Sequence, residues 1–71
     1  MELTVAEKIR IILGRKGMTA SDLARKLGTT PQNIHNKLKR SNFNEKEIKE
    51  IASALEVEYE INFLLGDGDK I

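Results

Sequence analysis

Met18-Thr19-Ala20-Ser21-Asp22-Leu23-Ala24-Arg25-Lys26-Leu27-Gly28-Thr29-Thr30-Pro31-Gln32-Asn33-Ile34-His35-Asn36-Lys37-Leu38-Lys39-Arg40 holds two helices and the turn between them. Thr19 and Asp22 stand at the spacing at which a threonine hydroxyl and an acid three residues on cap each other's amides. Leu23, Ala24 and Leu27 then share one helical face, and Gly28 supplies the left-handed residue that ends a helix. The expected helix covers about residues 20–27. Only Thr29 and Thr30 separate Gly28 from Pro31. Proline at the first helical position loses no hydrogen bond, and a preceding threonine caps the next free amides, so a second helix is expected from Pro31 to about Arg40.

The same grammar extends outward. Thr4 and Glu7 have the capping-box spacing, Ile9, Ile12 and Leu13 form a stripe, and Gly17 is a stop, which gives a helix over about 5–16. Gly14 lies inside it, either tolerated or admitting the close approach of another backbone. On the other side Asn44 caps, Glu47 stands at the third position, and Ile48, Ile51, Ala52 and Leu55 recur on one face. Phe43, just before that cap, is placed to staple the first turn. After Leu55 the period changes to two. Tyr59, Ile61, Phe63 and Leu65 alternate with Glu58, Glu60, Asn62 and Leu64, which reads as a strand followed by a turn at Gly66-Asp67-Gly68-Asp69. The expected organisation is a helical domain over residues 1–56 and a strand-bearing arm over 57–71.

A chain of 71 residues has room for one domain, and one of this size hides only about 60% of the surface exposed when unfolded, so a partner subunit would help it. It contains no cysteine, which excludes disulfides, thiolate metal sites and a cysteine nucleophile and fits a reducing cytoplasm. No stretch approaches the roughly 20 apolar residues of a membrane span or the apolar run of a signal peptide. The net charge of +1 conceals a polarity. Residues 1–40 carry nine basic against three acidic side chains, or +6, and residues 41–71 carry three against eight, or −5. One part is suited to a polyanion, although two solvated faces would also give this pattern.

Helix, short glycine-containing turn and helix make up the helix-turn-helix unit, in which the second helix enters the major groove of DNA. Ala24, Gly28 and Ile34 supply its small residue, turn glycine and core anchor. On these residues, the Met18-Thr19 start and the four-helix order, residues 4–55 resemble the Cro and phage-repressor (XRE-like) type of helix-turn-helix regulator. The stretch Asn42-Phe43-Asn44-Glu45-Lys46-Glu47-Ile48-Lys49-Glu50-Ile51-Ala52-Ser53-Ala54-Leu55 is similar to the fourth helix of small phage and mobile-element regulators. The resemblance implies a mainly α, four-helix lambda-repressor-like domain, here with a C-terminal β-strand. The chain departs from the family pattern twice. Ala20 stands where a glutamine often touches phosphate, leaving that contact to Thr19 or Ser21. Lys37 stands where an aliphatic residue is usual, leaving the packing to Leu38 and implying a slight rotation of the helix.

With Ile34 facing the core, Gln32, Asn36, Lys39 and Arg40 point outward, with Asn33 and His35 on the flanks. Amides read adenine bidentately, while lysine and arginine favour guanine or phosphate. Gln32 and Asn36, then Asn33 and His35, are the expected base contacts. Thr19, Ser21, Thr29, Thr30, Lys37, Lys39 and Arg40 are the expected phosphate contacts. The amides of Thr29, Thr30 and Gln32 add an anion site at a helix N-terminus. A solvated polar surface is the plainer reading of the same face.

The C-terminal strand has no partner strand of comparable length in this chain. Pairing with its copy across a two-fold axis, through Tyr59, Ile61, Phe63 and Leu65, would satisfy both its apolar face and its edge, and Cro-like dimers use such a strand. The alternative is a hairpin around Gly66–Asp69 or packing on the helices of a monomer. His35 has no second ligand at helical spacing, and Asp67 and Asp69 lack the remaining ligands of a calcium loop, so no metal, cofactor or catalytic group is expected. The leading expectation is a dimeric, sequence-specific regulator, a repressor, bound to a double-stranded DNA operator. The competing one is a protein-interaction module, such as an antirepressor or antitoxin, that keeps the fold.

Overall fold

A computed structural model describes residues 2–71. It contains four helices: α1 (Val5–Lys16), α2 (Ala20–Leu27), α3 (Pro31–Arg40) and α4 (Glu45–Ala54). Their bounds follow the capping chemistry. Thr4, Thr19 and Asn44 each accept the amide of the residue three positions on, while Glu7, Asp22 and Glu47 accept the cap residue's own amide in return. Thr30 caps α3 through the Asn33 amide, with Pro31 opening the helix. Left-handed glycines close α1 and α2, at φ 64° for Gly17 and φ 71° for Gly28. The other two helices end without glycine: Ser41 (φ 50°) and Glu56 (φ 57°) adopt the left-handed conformation with a Cβ in place, at some cost in backbone strain.

The apolar stripes meet in one core. Ala6, Ile9 and Leu13 of α1, Leu23 and Ala24 of α2, Ile34 and Leu38 of α3, and Ile51 of α4 with Leu55 just beyond it are buried together. Leu23 and Ala24 have no exposed surface. Helix α2 packs against both α3 and α4, and α1 packs against α3. Phe43 lies half-buried against this core, as a staple before α4 should. Gly14 has open space where a Cβ would stand, so it is a tolerated glycine rather than a close approach.

The C-terminal segment differs from the expected strand. Among the described residues no strand forms. A single antiparallel bridge joins Leu64 to Lys70, flanked by a reciprocal Phe63–Ile71 pair at 2.7 and 3.0 Å and a Leu65 amide to Asp69 carbonyl bond of 2.8 Å. The turn is held by the Gly68 amide on the Leu65 carbonyl (3.0 Å) and the Asp69 amide on the Asp67 carboxylate (3.0 Å). The pairing stays within residues 63–71, and among the described residues no segment pairs with residues 58–62, so the alternation from Tyr59 lacks the neighbour a ladder requires. The apolar side chains of this segment stay exposed from Tyr59 onward, with Phe63 and Leu64 at 70% and 73%.

The reciprocal caps make stability depend on pH. The Glu7, Asp22 and Glu47 carboxyls are all held below their ordinary range, foremost by the amides of Thr4, Thr19 and Asn44. A carboxyl whose pKa is lowered in the folded state contributes stability that is full above its ordinary pKa, near 4, and lost as pH falls through the folded value. Thermal unfolding followed from pH 7 to pH 2 should give a melting temperature that holds down to about pH 5 and drops below it. In the variant Glu7→Gln/Asp22→Asn/Glu47→Gln, whose amides still accept the cap hydrogen bonds, that acid limb should be flatter.

Candidate nucleic-acid interface

The turn between α2 and α3 is set before any DNA arrives. The Gly28 amide donates to the Arg25 carbonyl (3.2 Å) and the Thr29 amide to the Ala24 carbonyl (2.9 Å), so the free carbonyls at the end of α2 are occupied. Two residues later Thr30 Oγ1 accepts the Asn33 amide (3.2 Å) and the next helix begins. The Thr29 amide is therefore not available to an anion. The expected site at this helix end narrows to the amides of Thr30 and Gln32 and the threonine hydroxyls.

Ile34 and Leu38 are 5% and 4% exposed, which fixes the rotation of α3 despite the lysine between them. At about 100° per residue, Gln32, Lys39, Asn36 and Arg40 lie between about 140° and 240° from Ile34. All four are exposed, as are Asn33 and His35 on the flanks. The amides are joined in two pairs. Gln32 Nε2 donates to Asn36 Oδ1 (3.3 Å), and Asn33 Nδ2 donates to Thr29 Oγ1 (3.0 Å). The first pair spans one turn of α3 and the second ties α3 to the turn before it, and both limit rotamer freedom. Thr19 and Ser21 are exposed at the start of α2, while Ala20 turns toward the core.

Lys37 stands apart from the other expected phosphate contacts. It lies only about 60° from Ile34, it is half-buried, and its ammonium is paired with the Glu47 carboxylate of α4. Glu47 is absent from the residues that the sequence nominates for this site. Its signal in the sequence is the lysine itself, since a cation on the packed flank of a helix calls for an acid on the neighbouring element. A second unforeseen link comes from Ser41, whose Oγ accepts the Ala6 amide at 3.4 Å and ties the α3–α4 loop to the start of α1.

The residues expected to join two subunits are elsewhere. Tyr59 and Ile61 border an apolar recess with Val5, Ile9, Ile12 and Ile48, between α1 and α4. The recess beside the outward face of α3 is lined from α3, α4 and the loop before α4, with Leu27 and Thr29 at its other side, and the two share only Ile51. Among the described residues no group of three potential metal ligands comes together, and no helix is long and apolar enough to cross a membrane.

Over residues 8–60 the sequence matches the family described as the Cro/C1-type HTH DNA-binding domain. The chain belongs to that family. No curated protein and no solved structure matches it. The match spans all of α2, α3 and α4 and most of α1, so the corner at Gly28 and the whole of α3 lie inside the matched Cro/C1-type DNA-binding domain.

In this Cro/C1-type domain the value of Gly28 is conformational, because nothing lies within 4 Å of where its Cβ would stand. Gly28→Ala should lower stability by about 1–2 kcal/mol through the left-handed backbone alone, measured by urea unfolding. Gly14→Ala, where there is space and a helical backbone, should instead raise stability by about 1 kcal/mol.

Proposed function

We propose that this Cro/C1-type domain is a sequence-specific regulator of transcription, which acts as a repressor by covering an operator as a homodimer. The observation that carries the reading is the exposed face of Gln32, Asn36, Lys39 and Arg40 on a helix whose inner face is locked by Ile34 and Leu38. In the proposed complex α3 lies in the major groove. Gln32 and Asn36 meet base edges, with Asn33 and His35 beside them. Lys39 and Arg40, together with Thr19, Ser21, Thr29 and Thr30, hold the phosphates. The amides of Thr30 and Gln32 add the positive end of a helix to one phosphate.

The dimer is proposed on the exposed apolar side chains of the arm, Tyr59, Ile61, Phe63 and Leu65, and on residues 58–62, whose backbone pairs with no other segment among the described residues. Two copies joined there would hold two α3 helices for half-sites about 34 Å apart, one turn of the duplex. The same apolar and acidic arm favours the second reading, a module that binds another protein.

Selection from a random duplex pool, followed by titration of the selected site, tests the proposal. Gln32→Ala and Asn36→Ala should each weaken the selected site by about 1–3 kcal/mol while barely changing affinity for random duplex. Lys39→Met and Arg40→Met should weaken all duplexes and each lower the slope of log affinity against log salt by about 0.9. No duplex binding at low salt would leave the second reading in place. Sedimentation should show a dimer that Phe63→Asp turns into monomer, with the selected half-sites in two-fold symmetry. A monomer at all concentrations that still binds a single half-site would remove the dimer.

A further inference from the structure

The brace between Lys37 and Glu47 bears on how selectively the domain binds. Glu47 is not a free surface acid. Its Oε1 accepts the Asn44 amide at 3.0 Å, its own amide donates to Asn44 Oδ1 at 2.8 Å, and its other oxygen, Oε2, meets the Lys37 ammonium. The cap fixes the carboxylate before Lys37 reaches it, so the pair loses less side-chain freedom than an ordinary surface pair does. The side chains are 44% exposed for Lys37 and 28% for Glu47. With an amide and an ammonium both favouring its charged form, the Glu47 carboxyl sits below its ordinary range.

The position of the pair matters as much as its strength. Lys37 and Glu47 border a recess of about 410 Å³ together with Asn33, Asn36 and Arg40 from α3 and Glu50 from α4. The recess thus places two cations and two acids beside the side chains proposed to read bases. Lys37 is about 100° around α3 from Asn36. With Asn36 toward the bases, a lysine on that flank would have to leave both its half-buried stem position and Glu47 to reach a phosphate.

We propose that Glu47 is a specificity-determining residue: it holds Lys37 as a brace between α3 and α4 and off the DNA phosphates, so removing its charge adds a sequence-blind contact. Glu47 acts here through Lys37 and is a positioning residue. This inference rests on α3 as the DNA-reading helix. A phosphate contact contributes equally on every sequence, so withholding one lowers random-duplex affinity and raises the ratio of specific to non-specific binding.

The test is a cycle of wild type, Glu47→Gln, Lys37→Met and the double variant, with Lys39→Met alongside. The Glu47→Gln change retains an oxygen for the Asn44 amide, and the Lys37→Met change retains an apolar stem. Affinity for a random-sequence duplex is measured across salt, with circular dichroism confirming that each variant is folded, and Lys37→Gln replaces Lys37→Met if the latter melts. Glu47→Gln should steepen the salt slope by about 0.9 and tighten random-duplex binding about five- to tenfold at 0.1 M salt. Lys37→Met should leave the slope unchanged and abolish the effect of Glu47→Gln. Equal steepening with and without Lys37 would mean plain repulsion between Glu47 and DNA and would overturn the brace. So would a slope lowered by Lys37→Met alone. In both cases a slope lowered by Lys39→Met keeps α3 on the DNA, whereas a slope indifferent to Lys39 removes that placement and the brace with it.

Discussion

At the corner between α2 and α3, Leu23 and Ala24 are sealed from solvent while Gly28 turns the chain through a left-handed conformation. Two residues later, Thr30 and Pro31 restart it as a helix. These few residues determine the direction in which α3 leaves α2. The Schellman-type bonds from Gly28 and Thr29 back to α2 leave the turn little freedom. A bulkier residue at Ala24 would push the two helices apart, and a right-handed residue at 28 would send α3 elsewhere. With the corner fixed, Ile34 and Leu38 need only enter the core for Gln32, Asn36, Lys39 and Arg40 to face outward.

The charge polarity of the chain has a structural counterpart. Basic side chains concentrate on α1, α2 and α3, while most of the acids lie on α4 and the C-terminal arm, the capping Glu7 and Asp22 being exceptions. Glu47 is the point where the two halves meet, since it caps α4 and also binds Lys37 of α3. An acid beside the helix proposed to read DNA looks at first like an error of design, because it repels a polyanion. Under the proposed brace it limits how strongly the domain binds arbitrary sequence. Such a limit would serve the proposed amide-based readout, because competing non-specific sites vastly outnumber a specific one.

The helices are legible in the sequence because each is bounded by local chemistry: the paired caps Thr4/Glu7, Thr19/Asp22 and Asn44/Glu47, proline at the start of α3, and glycine after α1 and α2. The outward face of α3 follows from Ile34 and Leu38 by helical geometry. Less is legible where the determinant is distant. Alternation from Tyr59 to Leu65 is compatible with a strand, but a ladder needs a partner, and among the described residues only the Leu64–Lys70 bridge forms. The expected anion site counts the Thr29 amide as free, whereas the end of α2 uses it. Lys37 is expected at a phosphate on its charge, and its ion pair with Glu47 of α4 is not legible because that partner lies on another helix. Ser41 and Glu56 carry left-handed helix ends that no glycine announces.

Whether α3 is the surface that this Cro/C1-type domain presents to DNA is decided by an NMR titration of the ¹⁵N-labelled protein with a selected duplex. With α3 in the groove, the largest amide and side-chain amide shifts fall at Thr19–Ser21 and Thr29–Arg40, with the Gln32 and Asn36 side-chain resonances moving on the selected duplex and far less on a random one. Shifts concentrated instead on α4 and residues 57–71, with α3 unmoved, would contradict it.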